Sequence, residues 1–127
     1  YGLSTQVDIA GWLDNAALQS AYKNAFALVM PSLYEGFGLP IVESLQCGVP
    51  VITSNISSMP EVAGAGGLLV NPHDVQDIAD AMRRLSEDTN LRASLAAAGK
   101  THAQGFNWER TASRTLAVLL EAAGRIA

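Results

Sequence analysis

The chain has one cysteine, Cys47, so it can form no internal disulfide and fits a reducing compartment. Its two histidines, His73 and His102, are scattered away from each other and from Cys47, so they predict no metal site. No apolar run approaches the ~20 residues that cross a bilayer as a helix. Lysine and arginine number eight against twelve acidic residues, a net charge of −4. No basic patch points to nucleic acid, and no Lys/Arg cluster points to an anionic membrane surface. Internal repeats and low-complexity segments are also missing. The alanine-rich stretch from Ala93 to Gly99 reads as helix, because alanine is the best helix former. The first residue is Tyr1 and no signal peptide is visible.

What is present is a chain of 127 residues. A chain of that size forms one domain and buries about two-thirds of its unfolded surface. Short apolar runs alternate with helical patterns, which predicts an α/β fold with a parallel sheet covered on both faces. Val7 to Ile9 reads as a strand, followed by a turn at Gly11-Trp12-Leu13. Asp14 caps a helix over Asn15 to Asn24, with Ala17, Leu18, Ala21, Tyr22 and Ala25 along one face. Strands are expected over Ala25 to Met30, Val49 to Thr53 and Leu68 to Val70, with a one-turn helix near Ser57 to Glu61. Asp74 caps a helix over Val75 to Glu87, with Asp77 at capping-box spacing. Thr89 is the expected cap of a helix from Asn90 to about Gln104. Asn107 caps the last helix, which carries Trp108, Ala112, Thr115, Leu116, Leu119 and Ala123 on one stripe, with Phe106 at the staple position. Trp108 is expected to pack in the core or in a satellite of it, the alternative being an interface.

One stretch organises the rest. Behind the apolar run ending at Met30 come Pro31-Ser32-Leu33-Tyr34-Glu35-Gly36-Phe37-Gly38-Leu39-Pro40-Ile41-Val42-Glu43. Pro40 falls in the first turn of a helix over Leu39 to Gln46. A strand, a glycine-bearing loop and a helix start therefore follow in succession, which is where open α/β sheets bind anions. The first amides of a helix lack internal partners, and the macrodipole adds about half a positive charge there. Gly36 and Gly38 let backbone approach a ligand closely. Glu43 lies ~6 Å along the helix at ~1.5 Å per residue. A diphosphate held at the helix start would place its ribose about that far along. A carboxylate accepts hydrogen bonds from vicinal hydroxyls. One end suits phosphate and two carboxylates suit hydroxyls, the description of a nucleotide sugar. The complete dinucleotide fingerprint is absent, since Ile41 stands where its third glycine would fall.

Glu35 and Glu43 frame seven residues, and the run from Glu35 to Ser54, EGFGLPIVESLQCGVPVITS, resembles the signature of the retaining GT-B glycosyltransferases of the family 4 type. The resemblance extends from about Val7 to about Leu119. It implies a truncated Rossmann-like three-layer domain: residues 1–127 as the C-terminal half of a donor-binding domain, with the acceptor-binding N-terminal domain missing. It implies transfer of a sugar from a nucleoside diphosphate with retention and without a metal. Glu35 would meet the donor-sugar hydroxyls as the catalytic carboxylate, and Glu43 the ribose. Gly36, Phe37, Gly38 and Leu39 would line the donor, with the Gly38 and Leu39 amides facing the leaving diphosphate. Ser32 either contacts phosphate or caps the turn. Ser57 and Ser58 approach the ligand from the next loop. No nucleophile has an adjacent base, so no covalent intermediate is expected.

The segment Ser54 to Gly64 is similar to that of mannosyltransferases, which implies GDP-mannose, with UDP-glucose as the competing donor. The acceptor would be a glycan or a lipid-linked glycan, and the location cytoplasmic, peripheral to the inner membrane face through the missing domain. A non-catalytic nucleotide-binding module and a nucleotide-sugar epimerase of the same architecture remain the alternatives. With the usual strand order of the fold, the strands that should flank Ala25 to Met30 on one side are missing. The sheet is then three strands wide with an exposed edge open to self-association, and either Val7 to Ile9 is displaced from it or that edge is paired with a neighbouring chain.

Overall fold

A computed structural model describes residues 2–125. Three parallel strands, β1 (Leu28–Met30), β2 (Val51–Ser54) and β3 (Gly67–Val70), form one sheet in the order β1-β2-β3. Leu28 lies opposite Val51, and Val51 opposite Gly67. The helices are α1 (Asn15–Asn24), α2 (Leu39–Gln46), α3 (Met59–Ala63), α4 (Val75–Glu87), α5 (Thr89–Ala103) and α6 (Trp108–Ala122), with a 3-10 turn at Gly64–Gly66.

The central strand explains the layers. All four residues of β2 are buried, as expected of a strand covered on both faces. Alternation then sends Val51 and Ile52 to opposite sides. Val51 packs with Ile41, Val42 and Leu45 of α2, Met59 and Val62 of α3, and Ala103 of α5. Ile52 packs with Val70 and with Ala81 and Leu85 of α4. Closure of the first layer requires backbone contact. A Cβ on Gly66 would stand 2.7 Å from Leu45 Cδ2 and would run into the Gly99 backbone, so α5 sits flush on the 3-10 turn only because both positions are glycine.

Several expectations change. Val7 to Ile9 forms no strand and is exposed, in keeping with its displacement from the sheet. A strand needs a neighbour for its N–H and C=O groups, and none of the three strands pairs with this segment. The strand expected from Ala25 begins only at Leu28, because the Ala25 N–H closes α1 on Tyr22 O. Asp88, not Thr89, caps α5 by accepting from Leu91 N at 2.8 Å. Asp74 accepts from Gln76 N and Asp77 N as a cap should, but Asp77 reaches back to Asn71 N at 2.7 Å and makes no reciprocal box. The α6 stripe is not core. Trp108 is 78% exposed and Leu119 61%, and no residue of α6 is buried. Phe106 packs against the first core layer and meets Phe37 edge-on, with ring centroids 5.6 Å apart.

Candidate functional site

The loop between β1 and α2 leaves the carboxyl edge of the sheet and loses its ladder partners there. Hydroxyls from β2 and the loop after it take over the freed carbonyls. Thr53 Oγ1 donates to Met30 O at 2.9 Å and Ser54 Oγ to Ser32 O at 2.5 Å. Further along, Ser57 Oγ donates to Glu35 O at 2.7 Å, and Ser58 Oγ reaches Glu35 O at 2.9 Å and Phe37 O at 3.0 Å. The loop is thus held by side chains 21 to 23 residues away. Ser57 adopts φ 58°, rare for a non-glycine residue, at the point where its hydroxyl meets Glu35 O. Ser57 and Ser58, read from the sequence as ligand-facing, act here on the loop's carbonyls.

Within the loop, Ser32 Oγ donates to Glu35 Oε1 at 3.0 Å, so Ser32 aims the first carboxylate. Glu35 is half-buried and its second carboxylate oxygen has no protein donor among the described residues.

Gly38 is the N-cap of α2 at φ 99° and ψ 54°, with no side-chain cap of its own. Pro40 has no N–H, and Ile41 N already bonds Gly38 O at 3.0 Å. The Gly38 and Leu39 amides meet no protein acceptor among the described residues. Gly38 itself is buried, whereas Leu39 is exposed. Phe37 stands half-exposed against Phe106, beside an open groove that Leu39, Glu43, His102 and Trp108 also line.

Glu43 lies one turn along α2, half-buried, and is claimed by a residue the sequence did not connect to it. Tyr22 Oη of α1 donates to Glu43 Oε2 at 3.0 Å. Burial pushes the Tyr22 phenol up to about 12, with the hydrogen bond to Glu43, its charge and that of Cys47 adding to the shift. The only signal in the sequence was a polar-tipped aromatic on the inward face of α1. Ser32 is therefore brought onto Glu35 and Tyr22 onto Glu43. Trp12, in the turn that follows Val7 to Ile9, is 89% exposed.

A glycine-bearing loop at the carboxyl edge of a parallel sheet thus leads into a helix start whose unpartnered amides lie between two hydrogen-bonded carboxylates. Residues 1–102 match the profile of the glycosyl transferases group 1, and the chain belongs to that family. It is 41% identical over 106 residues to the O-antigen chain mannosyltransferase B of Escherichia coli, which spans 84% of this chain and 28% of that protein. Among solved structures it superposes on sucrose-phosphate synthase from Thermosynechococcus elongatus with a TM-score of 0.84 at 34% identity, covering 95% of this chain and 32% of that one. HepE of Anabaena, solved in complex with UDP and glucose, gives a TM-score of 0.82 at 26% identity over 94% of this chain and 33% of its own. The chain thus spans about a third or less of the proteins it matches. The short three-strand sheet has the Rossmann-like fold of GT-B glycosyltransferases.

Proposed function

We propose that this chain is the donor-binding part of a hexosyltransferase that moves a sugar, mannose in the first instance, from a nucleoside diphosphate to a glycan or lipid-linked acceptor with retention. The observation that carries the reading is the start of α2: two open amides, at Gly38 and Leu39, flanked by the carboxylates of Glu35 and Glu43. The leaving diphosphate gathers negative charge as the glycosidic bond breaks. Donors fixed in advance at a helix start stabilise that charge without rearranging. Glu35, aimed by Ser32, accepts from hydroxyls of the donor sugar, and Glu43 accepts from the ribose. The reading includes no glycosyl-enzyme intermediate, since among the described residues no side chain beside Glu35 is placed as a nucleophile with its base.

The mannose donor is supported by the name of the mannosyltransferase relative, and a uracil nucleotide by the UDP and glucose held by HepE. The remaining parts of the enzyme are read from the surfaces this chain leaves open. The free edge of β1 takes the other strands of the donor domain or a second copy of the chain. The bare face of α6, with Trp108 and Leu119, takes the acceptor-binding half.

Sugar transfer by the full-length gene product tests the assignment, with Glu35→Ala and Glu43→Ala measured beside it. Removing a hydrogen bond to a charged group costs about 1.5–3 kcal/mol, or roughly 10- to 100-fold in kcat/KM. Wild-type activity in both variants sinks the site. Calorimetry with GDP and with UDP on the same protein separates the two donors.

A further inference from the structure

We propose that Tyr22 is a positioning residue for donor binding: its hydroxyl holds one oxygen of Glu43 so that the other is presented, already oriented, to the vicinal hydroxyls of the donor's ribose. The proposal rests on the assignment of Glu43 to the ribose made above.

The geometry is specific. Tyr22 projects from α1 and Glu43 from α2, and the bond between them is 3.0 Å from Tyr22 Oη to Glu43 Oε2. It spans 21 residues of sequence, so the packing of two helices sets it and not local chain geometry. Glu43 Oε1 has no protein donor among the described residues. Glu43 forms part of the wall between two open grooves. One is lined by Phe37, Leu39 and Phe106 and the other by Gln19, Lys23 and Lys100. A glutamate in such a position would otherwise sample rotamers into either groove. Freezing those rotamers only when a ligand arrives weakens binding, and freezing them during folding does not.

Tyrosine suits this task better than a charged partner would. A lysine or arginine would neutralise the carboxylate and compete with the ribose hydroxyls for it. The phenol donates one proton and leaves the charge in place. Its half-buried setting keeps it protonated far above physiological pH, so the donor is present whenever the enzyme works. The bond also uses only one oxygen. The other retains its lone pairs for a pair of neighbouring hydroxyls, which a ribonucleotide has and a 2′,3′-dideoxynucleotide lacks.

Tyr22→Phe keeps the ring and its packing and removes only the hydroxyl. In the full-length gene product it should raise the Kd for GDP, and for UDP in a parallel series, by roughly five- to tenfold, less than the roughly 10- to 100-fold given above for a direct bond because Tyr22 touches Glu43 and not the ribose. Donor KM should rise with it while kcat stays within about twofold, because the effect lies in binding and not at the reacting carbon. With 2′,3′-dideoxy-GDP the Kd should be the same for wild type and Tyr22→Phe within about twofold. In the Glu43→Gln background, adding Tyr22→Phe should change little, since the two act as one unit. A Tyr22→Phe protein that binds GDP like wild type overturns the proposal. So does one that weakens GDP and dideoxy-GDP equally, or whose effect adds fully to that of Glu43→Gln, because a general loss of packing behaves that way. If Glu43→Gln itself leaves GDP and UDP binding intact, the ribose assignment of Glu43 fails first.

Discussion

Gly36 and Gly38 look equivalent in a glycine-bearing loop, and the structure makes them opposite. Gly38 sits at φ 99°, a conformation that L side chains rarely adopt, and a Cβ there would stand 3.1 Å from Ile41 Cδ1 and 3.7 Å from Met30 Cε. Ile41 is fully buried, so its tip has little room to yield. The left-handed region costs a residue with a Cβ about 1–2 kcal/mol, and a φ near 100° lies beyond its usual centre near +57°. Gly38→Ala should therefore destabilise the chain by about 2 kcal/mol once the tight contact is included. For a chain of 127 residues this corresponds to a fall in Tm of roughly 8 °C. Gly36 has no positive φ, and a Cβ on it meets nothing within 4 Å. Gly36→Ala should stay within about 0.5 kcal/mol of wild type. Thermal melts and urea titrations of the two variants side by side give the comparison, with an unchanged m-value confirming that the unfolding reaction is the same. Because Gly38 carries one of the two open amides, its variant should also raise donor KM in the full-length product, since relief of the strain by a rotated peptide moves that amide. Equal Tm shifts in the two variants, or none in Gly38→Ala, would refute the conformational argument.

Two further expectations concern the core and the site's polar pair. Gly66→Ala places a methyl against the Gly99 backbone and 2.7 Å from Leu45 Cδ2, so α5 must lift off the 3-10 turn; a loss of about 3 kcal/mol is expected, and a urea midpoint close to wild type would contradict it. The Tyr22 phenol is raised from 10.0 to about 12 in the fold, chiefly by burial and then by Glu43. The folded state therefore binds that proton more tightly, and the stability it contributes is complete below pH 10 and lost as pH rises towards 12. Tyr22→Phe should show a shallower loss of stability across that interval than wild type, modest in size because the ring is only half-buried, and identical slopes would count against it.

The helix starts were legible where one side chain bonds a backbone group a few residues away. Asp14, Asp74 and Asn107 cap α1, α4 and α6 as read, each within three residues of its partner. Asp88 and Thr89 stand side by side with similar capping chemistry, and the choice between them fell to Asp88. Strand limits were less legible, because a strand ends where its neighbour ends. Ala25 to Leu28 illustrates this: the apolar run is continuous, yet pairing begins only where Leu28 meets Val51. Val7 to Ile9 has strand composition and no partner, and so no strand. On α6 the apolar stripe was correctly placed along the helix but assigned to a core that does not cover it. Periodicity reports which face is apolar and not what lies opposite.

Residue order alone determined the glycine loop, the proline-led helix start and the spacing of Glu35 and Glu43, because each depends on a few consecutive dihedrals or on the 1.5 Å rise of a helix. Tertiary structure alone decided that Ser57 and Ser58 hold the Glu35 loop from 22 and 23 residues away, and that Tyr22 holds Glu43. It also decided that Gly38 is conformationally required where Gly36 is not. Those outcomes follow from the register of β1 on β2 and the seating of α1 on α2, which are set by the whole core and are written in no short segment of the chain.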